Sequence, residues 1–274
     1  MMKIKKYKTV VTPEQILYIF FALVIFLTLP DGFAGGRKKT ALAGNDKFPE
    51  EILFGIPAES DQIIARKGFS LGYSYKYRQA VLVAYILTKK DLQKKKVKRR
   101  SSFQVDPAVQ YAPVRPKDYA KTSYDKGHLA PAADMAWSVQ SMKNSFFMSN
   151  ITPQTAGCNR GIWKRLEKNV RQWAWKERKV CIITGPVFAN TDTKLGKTTI
   201  PVPTAFYKVI YDMTKPVKMI AFLIPNASSK KHILSFAVPV DIVEGITGYD
   251  FFTTLDDELE EKLEKECNII QWLN

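Results

Sequence analysis

The feature that most constrains the fold of this chain is the stretch from residue 124 to residue 167, which joins a short polar segment to a long helical pattern. The polar segment, Asp125 to His128, contains a glycine that permits a tight backbone course or the close approach of a ligand. From Asn159 to Trp175 apolar side chains recur at intervals of three and four, which predicts a helix; they are Ile162, Leu166, Val170 and Trp173. A fold organised around this stretch brings the polar segment and one helix face together.

Two further predictions concern the same stretch. Residues 144–150 are rich in large apolar side chains and predict a short buried strand. On the helix that follows, Asn159, Trp163 and Glu167 are four residues apart, so each side chain is rotated by about 40° from the last and all can face one side. By spacing alone, an ordinary amphipathic helix with exposed polar residues explains this pattern better than a site does.

The residue types in the stretch are those that metal-assisted cleavage of a phosphodiester requires. His128 can take a proton, and Lys126 supplies a cation for the phosphate. Asn159 and Glu167 offer the amide and carboxylate oxygens that a divalent cation such as Mg²⁺ prefers. The chain has two histidines; His232 follows two lysines in a predicted turn, and we assign it no role.

Charge narrows the class of partner. Lysine and arginine outnumber aspartate and glutamate by 42 to 26, giving a net charge of +16. Such an excess favours nucleic acid or an anionic membrane surface, and charge alone does not choose between them. Much of it lies in one patch, which is either a solvated loop or a guide for a polyanion; the patch comprises Lys89, Lys90, Lys94, Lys95, Lys96, Lys98, Arg99 and Arg100.

Residues 1–34 have the pattern of a targeting segment. Four lysines precede an apolar run at residues 16–29, and the small residues Gly32 and Ala34 follow. A helix of that run is about 21 Å long, shorter than the roughly 30 Å hydrocarbon core of a bilayer. We therefore expect a cleaved signal peptide and an exported protein, secreted or periplasmic. The rival interpretation is an uncleaved anchor through residues 16–29, with the rest of the chain outside the inner membrane. The first fifteen residues contain no Arg or Ser, which disfavours a mitochondrial presequence.

The remainder divides into residues 35–67, a polar linker that merges into the domain edge, and residues 68–274, one folded domain. Within the domain, β-rich runs and turn residues predict a hairpin and three later strands, followed by an acidic helix. The predicted segments are Phe69–Tyr75, Ala80–Thr88, Lys179–Phe188, Pro203–Met213, Val217–Ile224 and, for the helix, Asp256–Cys267.

The polar residues of residues 124–167 also carry a resemblance to a known family. Their order is an Asp-X-Gly-His segment, an Asn, a Pro-Gln pair, and then Asn, Trp and Leu-Glu on one helix. This order resembles that of the DNA/RNA non-specific endonucleases, which include secreted bacterial nucleases and the mitochondrial endonuclease G type. The matching residues are Asp125 to His128, Asn150, Pro153, Gln154, Asn159, Trp163, Leu166 and Glu167.

The resemblance implies an α+β fold with a central, mainly antiparallel sheet and flanking helices that carry a ββα-metal (His-Me finger) site. It implies Mg²⁺ as the cofactor, with Mn²⁺ as a substitute, and DNA and RNA as substrates. It also implies products with 5′-phosphate and 3′-hydroxyl ends.

The resemblance further implies a role for each matching position. His128 is the general base, Asn159 the direct metal ligand and Glu167 the acid that holds a water beside the metal. Asn150 supports the site, and Asp125 can orient a neighbour by hydrogen bonding. Lys126 stands where the family usually has Arg. An arginine guanidinium can bind two phosphate oxygens at once, whereas the ammonium of a lysine offers a single point charge. A preceding arginine binds phosphate in the family, and both Arg99 and Arg100 fit.

Two interpretations from other classes remain. The chain could be a non-catalytic nucleic-acid-binding protein, tethered by its amino-terminal segment and holding nucleic acid through residues 89–100. Alternatively, the basic patch could dock on anionic lipid. Only the enzyme predicts loss of intact plasmid that a chelator abolishes.

Overall fold

The computed structural model describes residues 60–94, 96–189 and 191–273. The predicted signal or anchor at residues 1–34 lies outside these ranges, as does the linker up to residue 59. The first strand begins at Gln62, so the domain already starts inside the segment predicted as linker and domain edge. None of the helices in the described ranges has the length and apolar character needed to span a bilayer.

Two antiparallel sheets form the β-structure of the described residues. Strands β1, β2, β3, β6, β7, β8 and β9 form the larger sheet in that order, and β4 pairs with β5 in a separate ribbon. In chain order the strands are β1 Gln62–Arg66, β2 Phe69–Ser74, β3 Gln79–Thr88, β4 Tyr124–His128, β5 Ile151–Thr155, β6 Lys179–Val187, β7 Ala205–Asp212, β8 Lys218–Pro225 and β9 Ala237–Val238.

Helices and single helical turns complete the fold. The α-helices are α1 Lys89–Gln93, α2 Val139–Ser145, α3 Lys164–Glu177, α4 Val240–Thr247 and α5 Asp257–Lys265. The 3₁₀ turns are Pro116–Tyr119, Met148–Asn150, Ile233–Phe236 and Ile269–Trp272, and a π-helical turn spans Cys158–Trp163.

The larger sheet is buried on both faces. Successive side chains of a strand point to opposite faces, so Ile182 of β6 packs in the cluster that contains α3. Its neighbour Ile183 packs in the other cluster, which contains residues of α4 and α5. The sheet therefore separates an α3 layer from an α4 and α5 layer. The expected α+β fold with a mainly antiparallel sheet is confirmed.

The hairpin and the three later strands are confirmed within one or two residues, because their alternating β-branched runs suit a sheet buried on both faces. The strand predicted at residues 144–150 is wrong. Residues 144 and 145 end α2, which Ser138 caps by accepting a hydrogen bond from the Ser141 amide. Residues 148–150 form a 3₁₀ turn, and the strand begins at Ile151. A short apolar run does not distinguish a strand from a buried helical segment.

Candidate active site

The site is built on the ribbon of β4 and β5 and on the π-helical turn that follows it. The ribbon pairs Gly127 with Thr152 and His128 with Ile151. The side chain of Gln154 crosses Gly127 so closely that a Cβ atom there would lie 2.2 Å from Gln154 Oε1. A larger residue at position 127 would have to displace the buried Gln154 side chain, so the glycine serves close packing, as its place beside His128 suggested.

His128 ends β4 with its ring held between two aromatic side chains. The ring centroid lies 5.5 Å from that of Phe103 and 5.0 Å from that of Phe146. The residue is 8% exposed, and Nε2 is buried with no hydrogen-bond partner. Burial, with a smaller contribution from the charge of Arg99, lowers the pKa of His128 to about 3. The imidazole is therefore neutral at pH 7 and able to accept a proton.

Asn150 fixes the backbone on both sides of the site. Its Oδ1 accepts a hydrogen bond from the Ala130 amide at 2.9 Å, and its Nδ2 donates to the carbonyls of Ala130 and Ser145, each at 2.9 Å. Its own carbonyl accepts from the Leu129 amide at 3.0 Å. Since the residue is fully buried, it acts on His128 by holding the loop that leaves β4.

Asp125 joins β4 to the π-helical turn. Its Oδ2 accepts a hydrogen bond from Asn159 Nδ2 at 2.9 Å, and Arg160 donates to both carboxylate oxygens at 2.7 and 2.6 Å. Hydrogen bonds from Arg160 hold the pKa of Asp125 below its usual range, with burial opposing them. A second tie runs from Trp163 Nε1 to the His128 carbonyl at 3.3 Å. The structure therefore brings the His128 strand and the Asn159 turn together at one junction.

The donor set at this junction fits a hard divalent cation. Asn159 is half-buried, and Asp125 occupies its amide nitrogen, so the ligand it can offer is Oδ1. Amide and carboxylate oxygens are the ligands that Mg²⁺ and related ions prefer. Asn159 Oδ1 would hold such an ion directly, and Glu167 is the carboxylate in the first turn of the helix that follows.

The turn that carries Asn159 is not the regular helix expected from sequence. Gly161 has φ −104° and ψ −107°, and the α-helix begins only at Lys164. The 40° rotation between Asn159, Trp163 and Glu167 therefore does not apply. Trp163 is fully buried in the core rather than facing the site. A wider π-turn at a functional position is a common arrangement, because it re-aims one side chain without breaking the helix.

Glu167 lies close to other charged side chains, among them those of Asp134, Arg171 and Lys208. Burial and the charge of Asp134 raise the pKa of Glu167 to about 7, while Lys208, Arg171 and Arg99 oppose the rise. Arg171 pairs with Asp134 at 2.7 Å. The ammonium of Lys208 lies 4.7 Å from the centroid of the Trp163 ring, and burial lowers the pKa of this lysine to about 8.

Lys126 and Arg99 bring positive charge to the same side as His128. Lys126 Nζ lies 5.7 Å from the centroid of the Phe103 ring, which also contacts His128. The Arg99 guanidinium lies 5.2 Å from the centroid of Phe146, the other ring against the imidazole. Arg99 also affects the pKa of both His128 and Glu167. Arg100 is half-buried; Arg99 is the arginine that the structure places beside the imidazole.

A sequence model of the DNA/RNA non-specific endonucleases matches residues 52–258 of this chain. The chain belongs to this endonuclease family. It is 34% identical over 229 residues to a nuclease of Syncephalastrum racemosum, covering 75% of this chain and 72% of that protein. It is 30% identical over 217 residues to the mitochondrial endonuclease G of Homo sapiens, covering 74% of this chain and 73% of that protein.

A solved structure agrees with the fold of this endonuclease. The crystal structure of an EndoG/EndoGI complex superposes with a TM-score of 0.68 and 28% identity, covering 74% of this chain and 90% of that chain. The expected ββα order is met by β4, β5 and the helix that follows them. The endonuclease is thus a hydrolase of nucleic acids from a metal-dependent family.

Several residues around the site of this endonuclease were not identified from the sequence. Arg171 is four residues after Glu167, so helical spacing would have found it. Lys208 is the single cation of its strand and lies between apolar and aromatic neighbours that are buried, which is itself a signal. Asp134 and Arg160 carry no such signal, because only the folded chain brings each to its partner.

Proposed function

We propose that this endonuclease hydrolyses phosphodiester bonds of DNA and RNA with Mg²⁺, without sequence preference, and leaves 5′-phosphate and 3′-hydroxyl ends. The observation that carries the proposal is the junction at which Asp125, on the strand that His128 ends, orients the amide of Asn159. The neutral imidazole of His128 and the oriented amide oxygen of Asn159 would then act on the same phosphate. Mn²⁺ would substitute for Mg²⁺, since both accept oxygen ligands.

His128 is the proposed general base. Its Nε2 edge is sealed from solvent and has no partner, so the ring receives the proton of the attacking water through Nδ1. The pKa of about 3 in the free protein makes it a weak base. A bound phosphate strengthens it, because the anion offsets the charge of Arg99 and favours the imidazolium.

Asn159 and Glu167 are the proposed metal-holding residues. Asn159 Oδ1 would bind the ion directly, and Glu167 would accept a hydrogen bond from a water beside it. When bound, the metal supplies a positive charge that polarises the phosphoryl oxygen and neutralises the departing 3′ oxygen. Asn150 and Asp125 act as positioning residues, because each holds a group next to the reacting atoms.

Lys126 and Arg99 are the proposed phosphate-binding residues, with Arg100 a weaker candidate. Their charges offset the developing charge on the non-bridging oxygens. Such groups contact the backbone and not the base edges, so we expect cleavage with little sequence preference.

The decisive experiment measures cleavage of plasmid and of RNA by the unaltered protein and by His128→Ala, with Mg²⁺ and then with EDTA. His232→Ala is the matched control, since His232 is exposed and only caps a 3₁₀ turn. We expect EDTA and His128→Ala to abolish cleavage and His232→Ala to retain it. Equal cleavage by His128→Ala and the unaltered protein would refute the proposal. Salt-sensitive binding without any cleavage would instead support the tethered binding protein.

We also propose that residues 1–34 direct export and are then removed, or else that residues 16–29 remain as an inner-membrane anchor. Several relatives are named as mitochondrial nucleases, but the first fifteen residues here lack Arg and Ser. Amino-terminal sequencing of the purified protein, together with cell fractionation, tests this. We expect a new terminus at residue 35 outside the cytoplasm, or an intact chain in the membrane fraction. Intact chain in a soluble internal compartment would contradict both.

A further inference from the structure

Three carboxylates converge between α4 and α5, away from the chemistry described above. Asp241 and Glu244 come from α4 and Glu264 from α5, and one oxygen from each lies within 4.8 Å of the others. These helices cover the sheet face opposite α3. The cluster therefore belongs to a different layer of the fold from His128 and Asn159, and a role for it goes beyond the proposed function.

The cluster is buried, which distinguishes it from the acidic surface of an ordinary helix. Glu244 is 6% exposed and Glu264 is 2% exposed. Glu264 Oε1 is buried and has no hydrogen-bond partner, whereas Glu244 Oε1 accepts from the Phe251 amide at 2.7 Å. A buried carboxylate oxygen without a partner is costly unless a cation or a proton compensates it.

Two kinds of compensation are open to such a cluster. Burial and neighbouring carboxylates raise the pKa of Glu264 to about 9, so without a cation this group holds a proton at pH 7; the neighbours are Glu244, Glu260, Asp241 and Asp250. A bound cation would reverse the effect, because a positive charge favours the ionised form. The two forms of compensation predict different responses to added metal.

We propose that Asp241, Glu244 and Glu264 form a divalent-cation site that takes Ca²⁺ and ties α5 to α4. Carboxylate oxygens alone suit a hard cation and not zinc or copper, which favour nitrogen and sulfur. Ca²⁺ binds oxygens at about 2.4 Å, so two ligands of one ion are at most about 4.8 Å apart. The three oxygens lie within 4.8 Å of one another, so one Ca²⁺ ion can contact all of them.

The site has a mechanical consequence for the carboxyl-terminal helix. Leu263 of α5 packs in the hydrophobic core on this face of the sheet, and Glu264 is the next residue in the chain. A cation that bridges Glu264 to α4 would hold this helix in place in addition to the packing of Leu263. We expect Ca²⁺ to stabilise the folded chain rather than to support cleavage.

Direct binding is measured by equilibrium dialysis of ⁴⁵Ca²⁺ against full-length protein that carries Asn159→Ala, which removes the active-site ligand. We expect one Ca²⁺ per chain, and binding at least tenfold weaker when Glu264→Gln is added. Glu261→Gln is the matched control, since Glu261 is one turn earlier on α5 with a side chain 65% exposed; it should bind as the Asn159→Ala protein does. Absence of binding at millimolar Ca²⁺, or equal binding with Glu264→Gln, would overturn the proposal.

Thermal unfolding separates a cation from a shared proton. In the unaltered protein, Ca²⁺ at about a hundredfold excess over Kd should raise Tm by about 5 °C relative to EDTA. Glu264→Gln should melt higher than the unaltered protein in EDTA, because the amide, unlike the carboxyl group, does not have to take up a proton on folding, and it should show no response to Ca²⁺. If that variant does not fold, the half-buried Asp241→Asn replaces it with the same expected loss of response. No Ca²⁺ response in the unaltered protein would identify a shared proton instead.

Discussion

Burial of a single imidazole links the chemistry of this endonuclease to its stability. His128 packs between Phe103 and Phe146 with one nitrogen lacking a partner. A histidine in that environment is held neutral, which is the form a general base needs. The same burial disfavours the protonated, charged form, so acid should lower the stability of the folded protein through this residue.

The first prediction is that His128 makes the protein sensitive to mild acid. Its pKa is 6.5 in the unfolded chain and about 3 when folded, so between these values the unfolded state binds a proton that the native state does not. Stability is therefore unaffected above pH 6.5 and is lost as pH falls toward 3. Urea unfolding measures the free energy of unfolding at pH 7 and at pH 5. Between these pH values, His128→Gln should lose about 2 kcal/mol less of this free energy than the unaltered protein does. Equal losses would show that the folded imidazole titrates normally.

The second prediction concerns Lys126, where the family usually has Arg. The ammonium lies 5.3 Å from the centroid of the Tyr119 ring and offers one point of charge to a phosphate. Lys126→Arg should lower KM severalfold, because a planar fork binds two phosphate oxygens at once. Lys126→Ala should raise KM by roughly tenfold or more, as loss of a charged hydrogen bond does. Equal KM values for the three proteins, measured on plasmid at fixed salt, would show that Lys126 does not contact phosphate.

At the level of elements, the sequence predicted the strands and helices that have a regular pattern of apolar residues. The hairpin Phe69–Thr88 and the strands of the later sheet follow from local apolar patterns. The order of polar residues likewise predicted the members of the site, of which the structure brings Asp125 and Asn159 into hydrogen-bond contact. The break at Gly161 was not predictable, because a single glycine inside a helical pattern is often tolerated and does not by itself mark an irregular turn. Residues 144–150 were misassigned for the related reason that burial alone does not specify a strand.

The third prediction tests the tie between β4 and the π-helical turn. Removing the acceptor with Asp125→Ala frees the Asn159 amide to rotate, so its oxygen would no longer be held in one position for the proposed metal ion. The Mg²⁺ concentration for half-maximal activity should rise 10- to 100-fold, the usual cost of losing a group that orients a metal ligand. Activity at saturating Mg²⁺ should fall much less.

Arg160→Gln is the control for this tie. Arg160 is exposed and is the other hydrogen-bond donor to Asp125. The variant removes this donor but keeps the hydrogen bond from Asn159 to Asp125. Its Mg²⁺ requirement should stay within about twofold of the unaltered protein, since a surface ion pair contributes little. If Asp125→Ala and Arg160→Gln shift the requirement equally, Asp125 acts through charge and not through the Asn159 amide.

On the scale of the whole molecule, the larger sheet separates two layers with different charge. The α3 side carries the turn that Asp125 of the ribbon contacts, and Arg99 of the basic patch lies close enough to Glu167 of α3 to affect its pKa. The other side carries the acidic helix α5 and the carboxylates of α4. The net charge of +16 was evident from composition, but the grouping of acidic residues of α4 and α5 on one face was not, because segments apart in the chain share a face only after folding.

The fourth prediction follows from this division. Released counterions make nucleic-acid binding weaken linearly on a log–log plot against salt, with a slope of about −0.9 per neutralised phosphate. The double variant Lys96→Gln and Lys98→Gln should make the slope for plasmid binding less negative by up to about 2. The pair Lys262→Gln and Lys265→Gln, on α5, removes the same charge and should leave the slope unchanged. Binding is measured with EDTA present, so that cleavage does not interfere. Equal changes in slope would mean that net charge attracts the polyanion, whereas a change confined to the first pair locates the substrate path on the face that carries His128.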